Sequence, residues 1–101
     1  MQCILLQYSD TRRKYVIKHE SDSEYFIGYI TLEKYLNHWN IELMNILEQR
    51  KGYGTQLLNY VINDMKNITQ KLTVDPVTDE SRCFFNKHNF KMVSGYFSRM
   101  I

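Results

Sequence analysis

Two glycines separated by one residue, Gly52 and Gly54, stand where an apolar run gives way to a helical pattern. Glycine adopts positive φ without a Cβ penalty and lets the backbone approach a ligand closely. The first N–H groups of the following helix lack intrahelical partners, and the positive end of the helix dipole adds to them. The stretch Gln49 to Thr55 therefore predicts an anion site, most often for phosphate, with a purely structural turn as the alternative.

The elements that must position this turn begin with strands. Four β-competent runs separated by polar segments predict strands over Cys3 to Tyr8, Tyr15 to Ile17, Tyr25 to Leu32 and Ile41 to Leu47. A turn is expected over Leu36 to Asn40, with Trp39 covering an edge of the core. Alternation in the fourth strand predicts one face with Ile41, Leu43, Asn45 and Leu47 and another with Glu42, Met44 and Ile46.

After the glycine turn the apolar period changes from 2 to 3.6. A stripe through Leu57, Leu58, Val61, Ile62 and Met65 predicts a helix from Tyr53 that ends near Asn67 in a left-handed cap. A short strand over Leu72 to Val74 follows, and then a helix from Asp79 to Lys87 or His88, capped by Thr78. Asn89 is expected as its left-handed exit, before a last strand over Phe90 to Ile101. The pattern is an α/β sheet with both helices in the C-terminal half.

Composition limits the classes of protein. The 101 residues predict a single domain over 1–101, with 44% apolar and 24% charged residues and no disordered linker. No segment is long enough to span a membrane, and the first residues lack a signal peptide's basic flank, so we expect an intracellular, cytoplasmic protein, or a nuclear one in a eukaryote. Cys3 and Cys83 have no metal spacing, and we expect no metal. A net charge of +2 makes nucleic acid an unlikely partner, and Arg12 to Lys14 lie in a polar turn.

Two common classes of phosphate site are excluded by the spacing of the glycines. A Walker loop needs four residues between its first glycine and a Gly-Lys-Ser/Thr run, which this chain lacks. A dinucleotide-binding turn needs a third glycine three positions after Gly54, where Leu57 stands.

Three motifs in one order carry a family resemblance. The string from Gln49 to Gly54, Gln-Arg-Lys-Gly-Tyr-Gly, resembles the Gln/Arg-x-x-Gly-x-Gly/Ala motif of the GNAT superfamily of N-acetyltransferases, and most closely its histone-acetyltransferase branch. Phe85 to Phe90 resembles the family's Tyr/Phe-x-Lys-x-Gly-Phe motif, and Phe26 to Ile30 its third strand. The resemblance implies a mixed, mainly antiparallel sheet in the order β-β-β-β-α-β-α-β.

The resemblance implies acetyl-CoA as the co-substrate, with its pantetheine arm between splayed fourth and fifth strands. Ile46 and Leu47 would offer backbone groups to that arm, and Phe85 would be a further cofactor-binding residue. The pyrophosphate would lie on the amides of the glycine loop, whose residues are Gln49, Arg50, Lys51, Gly52, Tyr53, Gly54 and Thr55. Arg50 and Lys51 are equally well read as solvated charges, and Thr55 as a helix cap.

For catalysis, the resemblance aligns Glu42 with the glutamate that histone acetyltransferases use as general base, and a buried carboxylate suits that task because desolvation raises its pKa. Two or three residues are missing before Gln49, which leaves the register of Glu42 open, and an exposed strand carboxylate is its alternative role. Glu48 is the second candidate base. Phe85 replaces the tyrosine that protonates the leaving thiolate in many relatives, so water or a hydroxyl of Tyr29, Tyr53 or Tyr96 would have to do so.

The chain lacks the two helices that follow the first strand in the family, because only a short turn joins Tyr8 to Tyr15. The acceptor groove should therefore be open, unless a partner in a homodimer closes it. An N-acetyltransferase acting on a primary amine, with a protein lysine or a peptide favoured, is the expected function. A catalytically silent CoA-binding module and a small interaction domain are the alternatives. Exposed aromatics at Tyr25, Tyr29, Tyr35 and Trp39 would suit a dimer.

Overall fold

The computed structural model describes residues 1–19, 24–49 and 51–101. Its elements are β1 Gln2–Tyr8, β2 Arg12–Lys18, β3 Gly28–Lys34, β4 Trp39–Ile46, α1 Tyr53–Met65, β5 Lys71–Val74, α2 Asp79–Lys87, β6 Lys91–Val93 and β7 Tyr96–Met100. The seven strands form one sheet in the order β1-β2-β3-β4-β5-β7-β6. All neighbouring pairs are antiparallel except β4 and β5, which are parallel. The predicted mixed, mainly antiparallel fold is confirmed, and no helix separates β1 from β2.

Both helices pack on one face of the sheet. The α1 stripe is buried at Leu57, Leu58, Val61, Ile62 and Met65, as its period predicted. Cross-strand partners share a face, so Tyr15, Ile30 and Met44, which lie opposite one another in β2, β3 and β4, turn together toward the helices. From α2 and the segment after it, Phe85 and Phe90 complete this core. Burial of these apolar side chains fixes the helices over β2 to β5 and β7.

The other side of the sheet, which we call the helix-free face, is covered by neither helix in the part of the chain that the structure describes. Alternation from the registered pairs assigns its residues. They are Arg12, Lys14 and Val16 of β2, Tyr29, Thr31 and Glu33 of β3, Asn40, Leu43 and Asn45 of β4, Lys71 and Thr73 of β5, Tyr96, Ser98 and Met100 of β7, and Lys91 and Val93 of β6.

A β-bulge in β4 overturns the predicted division of its faces. Thr31 pairs with Leu43 and the next residue, Leu32, pairs with Ile41, so Glu42 is an extra residue in the strand. Because an extra residue interrupts the period of 2, Ile41 faces the helices together with Met44 and Ile46. The sequence prediction had placed Ile41 with Leu43.

Four further strand predictions differ from the structure, and one of them is the second strand, which begins at Arg12 and contains the basic residues predicted in a turn. The last strand is not continuous: residues 94–95 form a tight turn between β6 and β7, with φ of 53° at Ser94 and 87° at Gly95, as two-residue hairpins favour. The third strand begins at Gly28, and the fourth begins earlier than predicted, at Trp39.

Trp39 is only 5% exposed and Tyr29 is half-buried, so of the four aromatics proposed for a dimer surface only Tyr25 and Tyr35 are exposed.

The helix ends follow the sequence in part. Thr78 and Ser81 form a reciprocal capping box at the start of α2, which confirms the predicted cap. Asn89 has a φ of 67° and is the predicted left-handed exit. Asn67, the predicted left-handed cap of α1, has no positive φ, since α1 ends at Met65 and its last turn continues through the right-handed Lys66. None of the described helices is long and apolar enough to cross a membrane.

Candidate active site

The parallel strands β4 and β5 separate after only three paired residues. Trp39, Asn40 and Ile41 pair with β5, whose last residue, Val74, lies opposite Ile41. From there β4 continues to Ile46, while the chain after β5 turns away through Asp75 and Pro76. The gap is a cleft of about 890 Å³ between the β4 edge, the start of α1 and the first turns of α2. Its lining includes Glu42, Ile46, Glu48, Gln49, Gly52, Tyr53, Gly54, Thr55 and Phe85.

The N-terminus of α1 opens into this cleft without a capping side chain. Gly52 is the N-cap, and the first turn contains no acidic residue. The backbone N–H of Gln56 closes the first helical hydrogen bond on the carbonyl of Gly52 at 3.1 Å. The preceding amides of the turn have no intrahelical acceptor, so a row of N–H donors and the positive end of the helix dipole face the cleft, as an anion requires.

The two glycines of the turn serve different purposes. Gly52 has a φ of 77°, and no heavy atom lies within 4 Å of the position that a Cβ would occupy. It is needed for its backbone conformation, which non-glycine residues rarely adopt. A Cβ on Gly54 would lie 3.2 Å from the Cε of Met44 and 3.3 Å from the ring of Phe84. Gly54 is therefore needed for close packing of α1 against β4 and α2.

Gly95 provides a matched control for Gly52. It has a φ of 87° and the same empty surroundings, but it lies in the β6–β7 turn. Because a left-handed residue with a Cβ costs about 1–2 kcal/mol, we expect Gly52→Ala and Gly95→Ala to lower the free energy of unfolding by similar amounts in urea titrations. Only Gly52→Ala should weaken CoA binding, measured by calorimetry. Equal loss of CoA affinity in both variants would contradict a role for the turn in binding.

The edge of β4 that faces the cleft offers fewer backbone groups than the sequence predicted. The Leu47 amide donates to the Ile27 carbonyl at 2.7 Å, on the β3 side, and is not available to a ligand. Since successive residues of a strand point their backbone groups to opposite sides, those of Ile46 face the cleft. The Ile46 carbonyl accepts a hydrogen bond from the Gln49 side-chain amide, which bridges the end of β4 and the glycine turn.

Glu42, the predicted base, lies in the β4 bulge at the cleft. One carboxylate oxygen is 3.3 Å from a guanidinium nitrogen of Arg12, and the same guanidinium lies 3.6 Å from Glu33. Desolvation raises the pKa of Glu42, Arg12 works against that rise, and the neighbouring Glu33 adds to it. The bulge thus turns a carboxylate with a raised pKa to the side of the sheet away from α1.

Glu48, the second predicted base, is held by its neighbours at the end of the cleft that lies beside the glycine turn. Its carboxylate lies 2.8 Å from the Nε2 atom of His19 and 3.9 Å from the Nζ atom of Lys51. These contacts make Glu48 part of a charged cluster beside the glycine turn. Lys51 and Leu47 are exposed and do not line the cleft. Arg50, predicted as a phosphate contact, lies outside the described residues.

Thr55 has a partner that the sequence did not indicate. Its hydroxyl lies 3.1 Å from the Nε2 atom of His88, the residue that ends α2. The ring of His88 packs on that of Phe84 at 4.7 Å. Desolvation, with the charges of Arg99 and Lys87, lowers the pKa of His88, so the neutral ring is favoured. This contact joins the start of α1 to the end of α2. The sequence alone gives no signal for it, because the two residues are 33 positions apart.

The hydroxyls predicted as proton donors lie in different places. Tyr53 lines the cleft, with its ring edge-on to that of His19 at 5.9 Å. Tyr29 lies on the helix-free face, where the Nζ atom of Lys14 is 4.8 Å from its ring centre. Tyr96 is 67% exposed on β7. Phe85 is buried against Phe84 and Phe90 and brings no hydroxyl to the cleft.

Sequence reasoning missed one wall of the cleft. The segment 75–78 after β5, together with Glu80, Ser81 and Phe84 of α2, lines the side opposite β4. The available signal was positional, since ligands commonly bind beyond the carboxyl ends of parallel strands. Within the described residues no cluster of three or more His, Cys, Asp or Glu side chains could hold a metal ion.

The fold and the cleft define a class of protein in which two parallel strands splay beside an uncapped helix N-terminus. The chain belongs to the acetyltransferase (GNAT) family, whose model matches residues 2–90. No curated protein sequence gives a significant match.

Solved structures share the fold at low sequence identity. PaiA N-acetyltransferase from Thermoplasma acidophilum, in complex with coenzyme A, has a TM-score of 0.70 and 19% identity over 90% of this chain and 62% of its own. GCN5 from Tetrahymena has a TM-score of 0.73 and 21% identity over 84% of this chain and 54% of its own. The anti-CRISPR protein AcrVA5 has a TM-score of 0.67 and 16% identity over 88% of this chain and 98% of its own. AcrVA5 is therefore also similar to this chain in length.

Proposed function

We propose that the protein is an acetyl-CoA-dependent N-acetyltransferase that acts on the primary amine of a lysine in a protein or peptide. The observation that carries this proposal is the gap between β4 and β5, which pair over only three residues and open a cleft of about 890 Å³ beside the uncapped start of α1. A neighbour with the same fold binds coenzyme A. The resemblance of the glycine turn to the histone-acetyltransferase branch favours a lysine as the acceptor.

The residues of the cleft fit an acyl-CoA. The donors at the start of α1 and the left-handed Gly52 form a cradle whose backbone conformation a non-glycine residue at position 52 would strain. The free edge of β4 at Ile46 would pair with the amide groups of the pantetheine arm, with the Gln49 side chain moving aside. Met44, Phe84 and Phe85 supply apolar surface beside that arm. Lys51 would add a charge near the phosphates.

Transfer requires an amine without its extra proton. We assign Glu42 as the general base, acting directly or through one water, because its carboxylate lines the cleft and its pKa is raised. The amine nitrogen would form a bond to the thioester carbonyl carbon, the carbon–sulfur bond would break, and the thiolate would take a proton from water or from the Tyr53 hydroxyl. Glu48 is a weaker assignment, because its contacts with His19 and Lys51 place it beside the glycine turn, where the phosphates are proposed to bind.

An open acceptor side favours a protein substrate over a small molecule. No helix among the described residues covers the helix-free face, and Leu43 and Val77 at the mouth of the cleft are 52% and 87% exposed. A small amine would make few contacts on such a surface, whereas a polypeptide can spread over it.

A second candidate is a protein that binds CoA without chemistry. The buried Phe85, which carries no hydroxyl, and the ion pair that ties Glu42 to Arg12 favour it. Both candidates require CoA binding, and only the first requires turnover.

Two measurements test the proposal. Calorimetry should detect CoA binding that weakens with salt, since phosphates contribute to it. A thiol assay should detect free CoA when the protein is mixed with acetyl-CoA and a lysine peptide, and mass spectrometry should find the peptide acetylated on the lysine amine. Binding without CoA release across a panel of lysine peptides and small amines would favour the silent module. No CoA binding would contradict both candidates.

A further inference from the structure

A second cleft lies on the helix-free face, next to the proposed active site, and it is cationic. It has a volume of about 540 Å³ and is lined by residues of β5, β6 and β7 and by Asn89. Lys71, Lys91 and Arg99 are its charged residues, and its lining contains no carboxylate. Among the described residues no Asp or Glu forms an ion pair with any of the three. We call this surface the cationic cleft.

The cationic cleft shares no lining residue with the cleft between β4 and β5, but one end of it lies beside the end of β5. The last pair of β5 and β7 is Val74 with Phe97, so the preceding β7 residue, Tyr96, lies beside the point where the gap opens. Ser98 lies two residues further along β7 and faces Lys91. Met100, after two more residues, faces Lys71 at the far end. A chain lying along β7 from the gap would therefore pass Lys91 and then Lys71.

The cleft also has apolar side chains suited to a polypeptide. Val93, Tyr96 and Met100 are 57%, 67% and 68% exposed on the helix-free face. Exposed apolar side chains grouped in this way commonly mark interaction sites. Apolar side chains beside lysines fit the mixed chemistry of a peptide, and the net charge of +2 is small for a nucleic-acid-binding chain.

We propose that the cationic cleft binds an acidic segment of the acceptor protein, so that the enzyme prefers lysines with Asp or Glu nearby. This inference rests on the proposed acetyltransferase function and adds a substrate class to it. At about 3.3 Å per residue of extended chain, Lys91 and Lys71 correspond to acidic residues about two and four positions from the acceptor lysine. Arg99 pairs with the buried Leu72, and its side chain donates to the His88 carbonyl at 2.9 Å on the helix side of the sheet, so the two lysines are the charges that face the bound segment.

The test compares two lysine peptides that differ only in charge. One carries Asp or Glu two and four residues to either side of a single lysine, and the other carries Asn and Gln at the same positions. For the unaltered protein we expect kcat/KM to be about tenfold higher with the acidic peptide, since a few exposed ion pairs act together and each contributes little. The preference should fall as the salt concentration rises.

Lys91→Glu should abolish or reverse this preference, and Lys71→Glu should reduce it. The matched control is Lys34→Glu, which makes the same change of charge at an exposed position at the end of β3, away from the cleft. It should leave the preference intact. Circular dichroism melts should show all three variants folded.

The outcomes separate this inference from the function on which it rests. Fluorescence anisotropy with labelled peptides reports binding without turnover. Acidic-peptide binding that Lys91→Glu abolishes, without CoA release, would support the cleft and contradict the acetyltransferase. Turnover with no charge preference would overturn the cleft and leave the function standing. A single-stranded RNA oligonucleotide that binds more tightly than the acidic peptide, and is lost in Lys91→Glu, would replace the peptide with a nucleic acid and overturn the inference.

Discussion

Glu42→Gln should lower kcat for lysine acetylation by about 10² to 10³-fold, because a positioned general base typically contributes 10²-fold to 10⁴-fold. The substitution keeps the shape of the side chain in the β4 bulge and removes its ability to accept a proton. CoA affinity should change little, because the base assignment places Glu42 at the acceptor amine rather than at the phosphates. Stopped-flow measurement of CoA release, with calorimetry on the same preparation, checks both statements.

Two neighbours of Glu42 allow a sharper test through the pH dependence of kcat/KM. The base must be ionised to act, so activity should fall as the pH drops through the pKa of Glu42, which desolvation raises. Arg12 lowers that pKa and Glu33 raises it. Arg12→Gln should therefore move the acidic limb to higher pH, whereas Glu33→Gln should move it to lower pH.

Glu33→Gln is also the matched control for the loss of a carboxylate beside Arg12, since both acids contact the same guanidinium. At a pH above the acidic limbs of both proteins, the kcat of Glu33→Gln should stay within about threefold of that of the unaltered protein. Turnover that is unchanged in Glu42→Gln would remove Glu42 from the role of base. A fall in turnover accompanied by a large loss of CoA affinity would indicate instead that the carboxylate supports the structure of the cleft.

The sequence predicted the parts of the fold that depend on local pattern. The α1 stripe, the Thr78 cap and the left-handed Asn89 each follow from residues within a few positions of one another. The order of strands and helices follows from the same local patterns, and the family motifs supply the sheet arrangement. The described residues of the glycine turn lie where these patterns place them.

What the sequence could not predict depends on pairing between distant residues. The bulge at Glu42 exists only in the register of β4 against β3, and it changes which side chains face the helices. The Leu47 amide is taken by Ile27, 20 positions earlier, so its unavailability could not be read from the strand itself. The hairpin turn at residues 94–95 carries a Ser-Gly turn signal, but it was missed because the flanking residues are β-competent on both sides and favoured one continuous strand.

Gly28 illustrates how such pairing links stability to the site. A Cβ at this position would lie 2.5 Å from the Cδ1 atom of Ile46, 2.7 Å from the Asn45 carbonyl oxygen and 3.1 Å from the Ile46 Cα atom. Two of these three atoms belong to the backbone, which cannot rotate away as the end of a side chain can. The residues that would move form the end of β4, where the pantetheine arm is proposed to pair.

We expect Gly28→Ala to lower the free energy of unfolding by about 2–3 kcal/mol, the upper part of the range for overpacked interiors. This is a large share of the 5–15 kcal/mol that stabilises a typical domain. Urea unfolding measures it, and calorimetry should show weaker CoA binding in the folded variant, because the β4 edge has shifted.

Adding Ile46→Val to Gly28→Ala separates the side-chain clash from the backbone clash. The shorter side chain removes the Cδ1 atom but leaves the Asn45 carbonyl oxygen 2.7 Å from the new Cβ. The double variant should therefore lose less free energy of unfolding than the sum of the losses in the two single variants. It should still be less stable than the unaltered protein. Full recovery of the free energy of unfolding would mean that only the Ile46 side chain obstructs a Cβ at position 28. An unchanged free energy of unfolding in Gly28→Ala alone would show that β3 and β4 separate at little cost, and that the end of β4 is not held rigidly for the cofactor.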